Sequence, residues 1–270
     1  MTRGLIVATI FFTMTPLLIA AQWVLVKLRL PGWGAIGVNY YRFLCLGLRI
    51  RVRIVGEPVR DRAVLFVSNH TSWADILAIG SVIPIAYVSK SEVAKWPLVG
   101  IAAKAQRTVF VDRSRRQQTG DAVAEMVKRL AGGTSVVLFA EGTSSDGNRV
   151  LPFRSALMGA VKEASTRAES GILIQPMSIC YTGLNGIPMG RQHRPLVAWY
   201  GDLDFMPHIK ALMAGGAVDA VITYGEPIAA DGTADRKAMT RSLEGAVRAI
   251  TAATLRGQTL PIHAATAPAK

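Results

Sequence analysis

The 270 residues suffice for one sizeable α/β domain and an appendage, not for two full domains. Half of them are hydrophobic, only 18% are charged, and 31 Lys and Arg stand against 18 Asp and Glu for a formal charge of +13. That balance predicts a surface that meets lipid and attracts anions. With no zinc finger, no RNP-type aromatic strand and no long basic helix, nucleic acid is set aside as a partner.

From Gly4 to Val26 no charge interrupts an apolar run slightly longer than the ~20 residues a spanning helix needs, which predicts a membrane helix. Pro16 and Gln22 lie within it, so a kinked, re-entrant or half-inserted helix stands beside that expectation. A cleaved signal peptide fits less well, because the apolar stretch is too long and basic residues come after it. After the Pro31-Gly32 break, Trp33 to Leu48 forms a second apolar stretch with Tyr40, Tyr41 and Arg42 near its middle. It suggests an interfacial helix paired with the first as a hairpin, with a buried helix of the globular domain as the alternative. Arg49, Arg51 and Arg53 then alternate along a short strand. By the positive-inside tendency they place the rest of the chain on the cytoplasmic side of the inner membrane.

Beyond residue 50 the pattern alternates. Strand-like runs cover residues 51–55, 62–68, 85–89, 107–111, 135–140, 172–179 and 220–224, and helix-like runs lie near residues 72–80, 116–131, 155–168 and 236–253. Strands separated by helices predict an α/β layered domain with a largely parallel central sheet, preceded by the membrane-associated helical hairpin. The expected division is residues 1–50 for the helices, 51–257 for the domain and 258–270 for a disordered tail rich in Ala, Pro and Thr. Cys45 and Cys180 lie in apolar runs without CxxC spacing, which reads as two buried thiols, and no metal cluster is expected.

In such sheets chemistry gathers where strands end and helices begin. At the end of the 62–68 run stands NHTSWAD, Asn69 to Asp75, with a histidine five positions before an aspartate. A histidine near its ordinary pKa can take a proton from a hydroxyl, and a carboxylate on its other ring nitrogen fixes the tautomer. Taken alone, the pair reads as a helix cap. Three later strands carry further features: Asp112-Arg113 after the fourth run, EGTSSDGNRVLPFRSA (Glu141 to Ala156) after the fifth, and Pro176 inside the sixth.

In that order and spacing these blocks resemble the lysophospholipid acyltransferase family, the group that contains the 1-acylglycerol-3-phosphate O-acyltransferases. The match runs from about residue 50 to 230: Asn69 to Asp75 looks like the NHxxxxD block and Val109 to Arg113 like a block ending in arginine. Phe139 to Ser145 with Leu151 to Arg154 looks like the EGT block and its LPF[KR] segment, and Ile174 to Met177 like the proline-bearing strand. The resemblance implies a membrane-bound O-acyltransferase of lipid biosynthesis. His70 would act as general base with Asp75 orienting it, and acyl-CoA or acyl carrier protein would be the co-substrate without other cofactor. Asn69, Arg113, Glu141, Gly142, Thr143 and Arg154 would hold the acceptor. Two departures stand out: Ala140 in place of a proline, and Ser144 where the family usually has arginine. With one cation missing, the run EGTSSDGNRVLPF looks like the subgroup that acylates lyso-ornithine lipid, beside lysophosphatidate as the family's commoner acceptor.

A catalytically silent membrane-surface protein that binds anionic lipid would also explain the charge and the apolar helices, but not the His70, Asp75 and Glu141 arrangement. A serine or cysteine hydrolase lacks its G-x-S-x-G elbow. His193, His208 and His263 read as surface residues, and Tyr181 to Arg194 as a loop over the site or a plain connector.

Overall fold

The computed structural model describes residues 2–28, 30, 32–96, 99–111, 116–167, 172–230 and 235–258. The expected tail and Arg113 lie outside the described residues, the tail apart from Gln258. Helices α1 (Thr2–Lys27) and α2 (Trp33–Leu48) come first and pack on each other, with Thr15 Oγ1 and Tyr40 OH hydrogen-bonded at 2.5 Å. Among the described residues no helix is long and apolar enough to cross a membrane. Within α1, Thr15 and Gln22 are buried.

The strands are β1 (Ile50–Val55), β2 (Val64–Ser68), β3 (Ala86–Lys90), β4 (Val109–Val111), β5 (Val136–Phe139), β6 (Ile172–Leu184), β7 (Ile187–Pro188), β8 (Val218–Tyr224) and β9 (Ile228–Ala230). They form one sheet in the order β1-β8-β6-β2-β5-β3-β4, with β7 and β9 also paired to β6. The pairs of β2 with β5 and β6, of β3 with β4 and β5, and of β1 with β8 are parallel, whereas β6 runs antiparallel to β8. The sheet is largely parallel, as the alternation of strands and helices predicts.

Every residue of β2 and β5 is buried, because helices cover both faces. With side chains alternating across the pleat, Leu65, Val67 and Leu138 join one core with helices α5 (Arg116–Ala131), α6 (Ser155–Arg167) and α8 (Arg236–Leu255). Phe66, Phe139, Met177 and Ile222 join the other, beneath α2, α3 (Ala74–Gly80) and α7 (Phe205–Gly215). Helix α4 (Val99–Ala105) packs on α1.

Two expectations are corrected. The segment from Tyr181 does not begin as a loop: β6 continues to Leu184 because β8 supplies backbone partners past an irregularity between Tyr181 and Gly183. His208 is not on the surface but 8% exposed in α7, accepting a 3.0 Å hydrogen bond at Nδ1 from Trp73 Nε1. Cys45 and Cys180 are buried free thiols, and burial pushes Cys180 up to about 12.

Candidate active site

Strand β2 ends in register with its neighbours, Ser68 facing Phe139 of β5 and Met177 of β6, so the chain leaves the sheet at Asn69 with the end of β5 on one side and the middle of β6 on the other. The Asn69 amide closes the gap to β6: Nδ2 donates to Ile179 O and Oδ1 accepts from Ile179 N, both at 2.9 Å. Asn69 is buried with both ends of its amide engaged, so its work is to aim the following residue, not to touch an acceptor headgroup.

That residue is His70. Its ring stacks on Phe139 with centroids 4.1 Å apart and planes 16° apart, which fixes its plane. Nδ1 lies 2.8 Å from Asp75 Oδ2. The same oxygen accepts from Thr71 N at 2.7 Å and Ser72 N at 3.0 Å, and Oδ1 accepts from Tyr181 OH at 2.7 Å. With donors converging on it, the carboxylate serves as acceptor, so Nδ1 of His70 carries the hydrogen and Nε2 presents a lone pair. The Asp75 side chain is 0% exposed and that of His70 20%, a buried anchor behind a reachable base. The cap reading is half right: Asp75 does hold backbone N–H groups, but those of the turn ahead of α3, while also gripping the imidazole. Burial first, then the charge of Asp75, pushes the Tyr181 phenol well above its ordinary range, so it stays a donor.

Glu141 follows β5 and is fully buried. Its Oε1 accepts from His70 N at 3.0 Å and its Oε2 from Leu151 N at 3.1 Å, tying the histidine backbone to the LPF segment. Its expected contact with the headgroup is therefore replaced by a framework role. Burial raises its pKa from 4.5 to about 8, against the two backbone hydrogen bonds that lower it and with the charge of Asp75 adding to the rise. Burial thus favours the neutral form of Glu141.

Gly142 turns the chain with φ +71, a left-handed conformation that favours glycine, and its N–H donates to Phe139 O. Thr143 and Arg154 are exposed. Arg154 donates from N to Ala140 O at 2.8 Å and from Nε to Glu141 O at 3.3 Å, so it closes the turn from outside. Ser144 Oγ is hydrogen-bonded to Trp199 O, and Trp199 N donates to Thr71 O at 2.9 Å. Trp73, Trp96, Trp199 and Phe205 pack edge-on or tilted against one another beside the His70–Asp75 turn, with centroids 5.4 to 6.4 Å apart. Among the described residues no group of three His, Cys, Asp or Glu side chains could hold a metal ion.

The sequence pattern does not announce Tyr181 or the 194–205 segment as parts of the site. Tyr181 lies 106 positions from its partner and is brought there only by the pairing of β6 with β2.

Comparison with known proteins gives the geometry a lineage. Residues 51–180 match the family model described as Acyltransferase. A protein of Brucella abortus (strain 2308) named lyso-ornithine lipid O-acyltransferase is 43% identical over 246 residues, 90% of this chain and 92% of that one. One of the same name from Rhizobium meliloti (strain 1021) is 39% identical over 258 residues, 94% of this chain and 86% of that one. The crystal structure of the 1-acyl-sn-glycerophosphate acyltransferase of Thermotoga maritima superposes with a TM-score of 0.68 at 19% identity, covering 96% of this chain and 95% of that one, and so shares the fold. With relatives 43% and 39% identical over most of both chains, this chain belongs to the acyltransferase family.

Proposed function

We propose that the protein transfers a fatty acyl chain from a thioester, acyl-CoA or acyl carrier protein, to the free hydroxyl of lyso-ornithine lipid in membrane lipid synthesis. The observation that carries the reaction is the buried Asp75 carboxylate on His70 Nδ1, which leaves Nε2 free to accept a proton. As Nε2 takes the hydroxyl proton, the acceptor oxygen attacks the thioester carbonyl carbon. The C–O bond forms, the C–S bond breaks, and the departing thiolate recovers the proton from the imidazolium. The ester is made in one passage without an acyl-enzyme, and no cofactor beyond the thioester is needed.

The acceptor is supported by the relatives of that name and by Ser144. Where an arginine would aim at a phosphate, a serine hydroxyl bonds to the Trp199 carbonyl. Arg113, the Gly142-Thr143 turn and Arg154 are the groups proposed to meet the headgroup from outside. We assign residues 1–50 to holding the enzyme on the cytoplasmic face of the inner membrane. Phe12, Leu17, Trp23, Leu28 and Leu46 are exposed in this N-terminal region, and the formal charge of +13 suits an anionic leaflet.

The test is transfer by the purified protein from acyl-CoA to lyso-ornithine lipid and to lysophosphatidate, read as free CoA release and product lipid. The expected result is product with the former at least tenfold faster, abolished by His70→Ala. An active His70→Ala protein defeats the mechanism, and equal or reversed preference defeats the acceptor.

A further inference from the structure

Arg194 is a buried cation that forms no ion pair among the described residues. It opens a single 3-10 turn, Arg194–Leu196, after β7 and is 9% exposed. Its Nη1 donates to Asn148 Oδ1 at 3.0 Å, while Nε is fully enclosed with no hydrogen-bond acceptor. Among the described residues no carboxylate forms an ion pair with it. A guanidinium cannot relieve burial by losing its proton, and buried charges are ordinarily paired. One donor of the fork, Nε, is therefore unspent.

Its place relates it to the reaction. Asn148 belongs to the loop that follows the EGT turn, and in that loop Ser145 N donates to His70 O at 2.9 Å. Gly147 fits between the two sides: a Cβ there would lie 3.0 Å from Thr71 Cγ2 and 3.6 Å from Arg194 Cβ. Asn148 cannot swing to release Arg194. Its N and Nδ2 donate to Asp146 at 3.0 and 3.3 Å, and Nδ2 also donates to Arg191 O at 3.2 Å. One short loop thus connects the catalytic histidine backbone with a preorganised guanidinium, on the side where Ser144 replaces an arginine.

We propose that Arg194 receives the anionic group of the acceptor lipid and thereby sets acceptor preference. The inference rests on the function proposed above. A single arginine with one edge already on a neutral amide matches a monoanionic carboxylate, such as an amino-acid headgroup carries, better than a phosphate dianion. An interaction of this kind is usually worth about tenfold to a hundredfold, the range of hydrogen bonds to charged groups.

The experiment measures kcat/KM of the full-length protein for three acceptors: lyso-ornithine lipid, its methyl ester, and lysophosphatidate. The wild type should use the ester about ten to a hundred times less well than the parent lipid. In Arg194→Gln the parent should fall to the level of the ester, mainly through KM, with the KM for acyl-CoA unchanged. A variant that keeps the wild-type preference for the free carboxylate overturns the proposal, and one whose loss appears only with lysophosphatidate assigns Arg194 to phosphate instead of carboxylate and overturns it as stated. If Arg194→Gln does not fold, Arg194→Lys, which keeps the charge but not the fork, should lose severalfold in kcat/KM for the parent lipid alone. No change there is equally fatal. A wild type that acylates no lysolipid would refute the function itself, which these arms separate from failure of Arg194.

Discussion

Oδ2 of Asp75 stands 2.8 Å from Nδ1 of His70 and is reached by the backbone N–H groups of Thr71 and Ser72 as well. The stretch from His70 to Asp75 thus forms a closed turn whose acceptor is a single buried oxygen. The base is oriented by its own loop, independently of any substrate.

Replacing that oxygen with an amide should be costly for the reaction. In Asp75→Asn the side chain offers one acceptor where a carboxylate offered two, and the charge that stabilises the imidazolium is gone. We expect kcat to fall about 10²–10⁴-fold with the KM for acyl-CoA within about threefold. Steady-state CoA release measures this, with circular dichroism to show that the fold persists. A kcat near wild type would remove Asp75 from the mechanism.

The raised pKa of Glu141 makes a prediction about stability against pH. The folded chain holds this proton up to about 8, whereas the unfolded chain loses it near 4.5. The contribution is complete below 4.5 and drains away as pH rises to about 8, at no more than about 1.4 kcal/mol per pH unit. Thermal melts from about pH 5 to about pH 9 should show this decline in the wild type and a flatter profile in Glu141→Gln. That variant should also start from a lower melting temperature, because its amide brings a donor towards the N–H of His70 or Leu151. Parallel profiles in the two proteins would exclude Glu141 as the titrating group.

Gly80 ends α3 directly beneath Tyr41 of α2, where a Cβ would collide with the phenol ring. Gly80→Ala should therefore push α2 away from the catalytic domain, destabilising the protein by about 1–3 kcal/mol. Folded molecules should retain transfer, since the residue touches none of the catalytic groups. Melting temperature together with activity per folded molecule checks both halves.

Residues with local causes are readable from the chain. The continuous apolar runs of β2 and β5 declare a sheet covered on both faces, and a five-residue spacing suffices to bring His70 to Asp75. What escapes the reading depends on distant partners. Tyr181 reaches Asp75 through strand pairing across 106 positions, with no spacing to announce it. The segment from Tyr181 reads as a loop or connector, yet β8 carries β6 on to Leu184. His208 is polar in a segment that looks like a surface until Trp73 donates to it across 135 positions. Asn69 and Glu141 have the chemistry of ligand-binding residues, and only coordinates reveal that their polar atoms are engaged by the backbone.

Three of the five tryptophans, Trp73, Trp96 and Trp199, gather beside the catalytic turn, and one of them is hydrogen-bonded to Thr71 next to the base. The other two, Trp23 and Trp33, belong to the leading helices. Most of the enzyme's tryptophans therefore share one neighbourhood, and arrival of a lipid there should be visible as a change in the colour and brightness of its ultraviolet emission without any attached dye.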